Sequence, residues 1–242
     1  MPFRRDNAVE SAAMRVFDMH IAKLPAKLPA GAPVVARFFR LFHLFICALF
    51  FCAAFVAFAA KAEEGDATAG GQLYNQSCMV CHGVGGASQI AANPILAGQH
   101  FDYLRDKLFY YRDNPKANAA MAAMATTLGD DDINDISAYL SARPRPISGA
   151  DDMKLAKSGE NLYRGGDIKR NIPACAACHI ADGGGIPGAY PALSGQHSAY
   201  TASALADYAS GARQHSVMSD IAARLSEEDI KALAAYISGL AP

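Results

Sequence analysis

Cys78-Met79-Val80-Cys81-His82 and, offset by 97 positions, Cys175-Ala176-Ala177-Cys178-His179 are the two stretches on which the reading of this 242-residue chain turns. Both are C-x-x-C-H. That spacing lets two thiols add across the two vinyl groups of one haem while the adjacent imidazole reaches the iron. Other uses of the cysteines fit less well. Disulfides would suit an oxidising compartment, but they would leave the histidine after each pair, and the glycine loop behind it, without a purpose. A Cys₄ zinc site wants its two knuckles about 15–20 residues apart, far closer than these. A thioredoxin-like pair wants a βαβ context, and none is visible. The motifs therefore predict two covalently bound haem c groups. One is attached through Cys78 and Cys81 and the other through Cys175 and Cys178, with His82 and His179 as axial ligands of the irons.

The same offset runs well beyond the motifs. Pro94, Leu96 and Gly98-Gln99-His100 recur as Pro191, Leu193 and Gly195-Gln196-His197. Tyr103, Leu108, Tyr111, Met121, Leu128, Asp132-Ile133 and Tyr139 recur as Tyr200, Leu205, Tyr208, Met218, Leu225, Asp229-Ile230 and Tyr236. From 78 to 140, 20 of 63 gapless positions are identical to their partners. One long period means a duplicated domain and not a solenoid of short units. Upstream of the cysteines the copies need a gap of eight residues, because Tyr74 precedes Cys78 by four positions and Tyr163 precedes Cys175 by twelve. The extra residues fall within Arg164 to Ala174 and read as a surface loop.

Each copy reads as helical. Asp130-Asp131-Asp132 marks a helix start, and Ser226 with Asp229 three residues on makes a capping box. Ile230, Leu233, Ala234 and Ile237 then form one apolar helical face, as do Ile133, Ile136, Tyr139 and Leu140 in the first copy. Phe101 to Arg112 and Ser198 to Ser210 read as middle helices. No segment shows sustained alternation of β-branched residues, so the fold class is all-α. A few helices and much loop make a thin core, which a bulky apolar group would fill. For the second axial ligands the repeat points to Met121 and Met218, which align. Met124 has Ile221 opposite it and reads as core packing, the runner-up ligand if the copies differ. His100 and His197, also symmetric, are the competing ligands, although their place at a helix start suggests a cap or a surface role. His215, with Asn118 opposite, reads as a surface histidine. Methionine and histidine together fill both axial positions and raise the reduction potential relative to bis-histidine sites, the profile of an electron carrier and not of an enzyme.

The N-terminal quarter is different in kind. Leu41 to Ala60 is an apolar run interrupted only by His43, preceded by Arg37 and Arg40 and followed by the small-x-small pattern Ala60-Lys61-Ala62. This reads as an export signal cut before Glu63, with a retained membrane anchor as the alternative, because the run is long enough to span a bilayer. Cys47 and Cys52 sit inside it as apolar filler. Residues 1–62 carry eight Lys/Arg and three Asp/Glu, which leaves 14 basic and 20 acidic groups in the remainder. An acidic body argues against nucleic acid as a partner and fits transient docking on positively charged proteins.

Taken together, the two C-x-x-C-H sites, Leu-Ala-Gly-Gln-His (96–100), Leu-Ser-Gly-Gln-His (193–197) and Leu162-Tyr163-Arg164-Gly165-Gly166 before Ile172-Pro173-Ala174-Cys175 resemble the cytochrome c4 family, over about residues 66 to 240. The resemblance implies two tandem class I cytochrome c domains related by pseudo-twofold symmetry, with haem propionates close at their interface. It also implies a periplasmic electron carrier between a quinol-oxidising complex and a terminal oxidase. The cytochrome subunit of a flavocytochrome sulfide dehydrogenase resembles the same plan and stands as the alternative. The corresponding division is 1–62 for the leader or anchor, 63–143 for the first domain, 144–158 for a linker broken by Pro144, Pro146 and Gly149, and 159–242 for the second domain.

Overall fold

The computed structural model describes residues 65–147, 149–150 and 152–241. The apolar run expected to be a signal or anchor lies outside the described residues. Among those described, no helix is long and apolar enough to cross a membrane.

The first half runs through helix α1 (Ala67–Ser77), the single turn α2 (Met79–His82), α3 (Phe101–Asp113), α4 (Ala119–Ala125) and α5 (Asp130–Ser141). The second repeats the order as α6 (Met153–Gly165), α7 (Ala176–His179), α8 (Ser198–Ser210), α9 (Met218–Ala222) and α10 (Glu227–Gly239). Among the described residues β structure is confined to two isolated bridges, Asp167 with Ile172 and Ile186 with Tyr190. Side-chain caps explain where several helices begin. Asp66 accepts from the N–H groups of Thr68 and Ala69, and Asp152 accepts from that of Leu155. Ser226 and Asp229 exchange bonds of 3.1 and 2.8 Å in the capping box expected from their spacing. Asp152 is also why 153–158, expected in the linker, form the opening turns of α6.

In each half the first helix crosses the last at a glycine. A Cβ on Gly70 would lie 1.9 Å from the carbonyl oxygen of Asp135, and one on Gly159 would lie 2.0 Å from that of Ala232. The missing side chain lets two backbones touch. Beside each crossing a fully buried tyrosine packs on a second ring, Tyr74 on Tyr139 at 5.5 Å and Tyr163 on Tyr236 at 5.3 Å. Around these rings lie two small apolar cores. One is Tyr74, Leu104, Ile136, Tyr139 and Leu140, and the other is Leu162, Tyr163, Ile172, Leu233, Ile237 and Leu240. The eight-residue insertion is a loop, as expected, but not wholly a surface one. Ile172 is buried in the second core, and Arg170 ties the loop to Asp167 and to Asp229 at the start of α10.

The halves meet through polar groups. Gln99 and Gln196 are buried between them. Arg145, from the segment joining the halves, donates to the carbonyls of Ser194, Ala97 and Ala192. Burial pulls its guanidinium down to about 10. Further along the interface Arg213 donates to the hydroxyls of Tyr103 (3.0 Å) and Tyr200 (3.4 Å), a symmetric tyrosine pair served by one arginine.

Candidate haem sites

Each C-x-x-C-H segment is wound into a helical turn. The N–H groups of Cys81 and His82 reach the carbonyl of Cys78 at 3.2 and 3.0 Å, and those of Cys178 and His179 reach Cys175 at 3.2 and 2.9 Å. Cysteines three apart on a helix share a face, and the histidine one position later stays beside them. All four thiols are free. The disulfide use of these cysteines is therefore not what the fold adopts. Burial pushes the Cys175 thiol up to about 11 and raises that of Cys78 as well, so neither is an activated nucleophile in this fold. Among the described residues no group of three or more His, Cys, Asp or Glu converges as a cation cage, so the two C-x-x-C pairs do not build one zinc site.

The two histidines are set identically. His82 and His179 are buried, with Nδ1 facing the carbonyl oxygens of Pro94 at 3.1 Å and Pro191 at 2.9 Å. Only the tautomer carrying a proton on Nδ1 makes that bond, which leaves Nε2 as the metal-binding nitrogen. Burial lowers the pKa of both rings, so each is held as the neutral imidazole that a metal requires. Behind each motif a buried tyrosine closes the loop. Tyr74 donates to the carbonyl of Gly83 at 2.7 Å, and Tyr163 donates to that of Ile180 at 2.8 Å. Free cysteines at this spacing and a buried, oriented, neutral imidazole are what a covalently held haem needs from its protein, and the residues fit it.

The methionine helices are also matched. Met121 lies in the first turn of α4 and Met218 opens α9, and both side chains are half-buried. Met124 is 40% exposed and so is not the core residue its position suggests. An α4 of two turns offers one inward face, and Ala122 and Ala125 occupy it. His215 has a role that its sequence position conceals. Its Nδ1 accepts from the N–H of Met218 at 3.3 Å, the counterpart of Asn118 accepting from Met121 at 3.0 Å. A dissimilar residue type thus does the same capping job, which identity within the repeat cannot reveal. His100 and His197 are not surface groups. Both lie against the opposite half, with Nε2 of His197 at 2.9 Å from the carbonyl of Ser88 and Nε2 of His100 buried without a hydrogen-bond partner. Neither provides a side-chain cap to the helix it precedes.

Two family descriptions match the halves in turn: "Cytochrome C oxidase, cbb3-type, subunit III" over residues 65–140 and "Cytochrome c" over 157–241. The chain is 40% identical over 190 residues to cytochrome c4 of Azotobacter vinelandii, covering 73% of this chain and 90% of that one. It is 34% identical to a thiosulfate dehydrogenase electron acceptor of Thiomonas intermedia, over 67% of this chain and 77% of the other. Among solved structures, reduced recombinant cytochrome c4 from Pseudomonas stutzeri superposes with a TM-score of 0.68 at 39% identity, over 73% of this chain and all of its own.

Proposed function

Because this chain belongs to the cytochrome c4 family, and is a dihaem electron carrier with two covalently bound haem c groups, we propose that it takes electrons from a quinol-oxidising complex and delivers them to a terminal oxidase in the periplasm. The observation that carries the assignment of sites is the matched pair of buried imidazoles, each with Nδ1 tied to a proline carbonyl behind a free cysteine pair. In this reading Cys78 and Cys81 would hold one haem, and His82 and Met121 would bind its iron. Cys175 and Cys178 would hold the other, and His179 and Met218 would bind its iron. When bound, each haem supplies a one-electron ferric/ferrous couple. The protein's part is to fix it. Pro94 and Pro191 keep the imidazoles in one tautomer and orientation. A soft thioether from Met121 or Met218 would favour the ferrous state and would block small ligands from the iron. Asn118 and His215 hold the first turns that carry those methionines.

Two experiments test this. Cys175→Ala with Cys178→Ala should leave one haem per chain by mass, retained through acid-acetone extraction. Met218→Ala should remove about half of the near-infrared sulfur-to-iron band and open one iron to cyanide, with Met121→Ala doing the same at the other haem. A band lost instead in Met124→Ala would move the ligand by one turn. An iron opened by His100→Ala or His197→Ala would make the sites bis-histidine. A second reading, as the electron-accepting partner of a dehydrogenase for sulfur compounds, is favoured by the relative named as a thiosulfate dehydrogenase electron acceptor. A subunit that co-purifies with the native chain decides between them.

A further inference from the structure

Gln99 and Gln196 each reach into the opposite half and grip a backbone segment with both ends of the amide. Oε1 of Gln196 accepts from the N–H of Ile95 at 2.9 Å, and its Nε2 donates to the carbonyl of Ile95, also at 2.9 Å. Gln99 does the same to Ala192, again at 2.9 and 2.9 Å. The place gripped is not arbitrary. The N–H of Ile95 and the carbonyl of Pro94 belong to one peptide group, and that carbonyl is the acceptor facing Nδ1 of His82. The N–H of Ala192 and the carbonyl of Pro191, which faces His179, form the other. A peptide group is a rigid plane, so one bond at its N–H edge and one at its C=O edge cannot be set independently. Proline at the start of each plane brings no N–H of its own to anchor the loop.

We propose that Gln99 and Gln196 are cross-domain positioning residues for the haem irons. Gln196 of the second half orients His82 of the first, and Gln99 of the first orients His179 of the second. The proposal rests on the reading of His82 and His179 as iron ligands. It has an electronic side too. A hydrogen bond accepted from a peptide N–H polarises the group and makes its carbonyl a better acceptor. A better acceptor on Nδ1–H makes the imidazole a stronger donor to the metal, which favours the ferric state. Each half therefore tunes its neighbour's reduction potential downward through a single peptide plane.

The test uses the full two-haem protein with Gln196→Met and Gln99→Met, which keep much of the side chain's length and remove both bonds. The expected pattern is crossed. Gln196→Met moves the hyperfine-shifted ring resonances of His82 in the oxidised protein, leaves those of His179 in place and raises the potential of the haem on Cys78 and Cys81. Gln99→Met does the reverse. Shifts confined to the histidine of the mutated half, equal at both, or absent from both overturn the proposal. His82 or His179 resonances without hyperfine shift in the wild type would sink the ligand assignment itself, a separate and recognisable failure. Should either variant not assemble with two haems, hydrogen exchange of the wild-type holoprotein decides. The Ile95 and Ala192 amides should be among the slowest, and free exchange there overturns the clamp.

Discussion

The residue after the histidine of each C-x-x-C-H motif shows how far duplication has let the copies drift. Gly83 and Ile180 stand at matching positions with nearly the same backbone, φ 74 and ψ 171 in one and φ 63 and ψ 160 in the other. Glycine takes that conformation freely, whereas a β-branched side chain there is strained, at a cost of about 1–3 kcal/mol. The buried tyrosine hydroxyl on each carbonyl holds both in place. Ile180→Gly should therefore raise the thermal midpoint of the holoprotein, by up to about 2 kcal/mol of stability once the greater freedom of the unfolded glycine, about 0.4–1 kcal/mol, is counted. An unchanged or lower midpoint in calorimetry would mean that contacts of the Ile180 side chain outweigh the strain. At this scale residue type alone singles out the cysteines and His82 and His179, and the fold leaves the four thiols free and both rings buried. The sequence was a poor guide to Met124, and for His215, exposed as expected, it did not show the bond from the N–H of Met218. Their roles depend on which backbone group a ring nitrogen meets and on which way a two-turn helix faces solvent.

Helices were legible because their signals are local. The middle helix of the second half runs over Ser198–Ser210, the span its sequence indicates, and the capping box opens α10 as expected. The inserted loop was legible as a loop. That Ile172 turns inward was not, since a single isoleucine among polar neighbours carries no periodicity. The helix crossings escaped as well, because a glycine inside a helical pattern reads as a small cost to helicity and not as a contact. They carry a sharp prediction. Gly159→Ala must push α6 off the backbone of α10, and Gly70→Ala must separate α1 from α5 in the same way. Each should destabilise by about 1–3 kcal/mol, the range for overpacking a well-packed contact, although alanine is the better helix former. Chemical denaturation measures it, and variants as stable as the wild type would show that the crossings relax at no cost.

At the scale of the whole molecule the halves are joined by buried polar groups that no local pattern announces. Gly-Gln-His looks like the start of a helix, and only the assembled fold shows its glutamine spanning to the other copy. The same interface predicts a pH dependence. Lys107 lies over the rings of Tyr103 and Tyr110 at 5.6 and 5.1 Å. Burial first, and then the nearby charge of Arg213, pull its ammonium down to about 8 from 10.5. Between those values the unfolded chain binds the proton that the folded chain has released, so this group adds stability as pH rises from about 8 towards 10.5. Wild-type stability relative to Lys107→Met should therefore be more favourable at pH ~10 than at pH ~7; a difference independent of pH would refute the shift. The reciprocal glutamine grip also bears on how such a molecule can evolve. Two copies that merely touch can be lost, shuffled or fused elsewhere one at a time. Once each has handed the other a hydrogen-bonding edge of its own backbone, deleting either copy strands a peptide in the survivor, and a duplication that began as redundancy has become a ratchet.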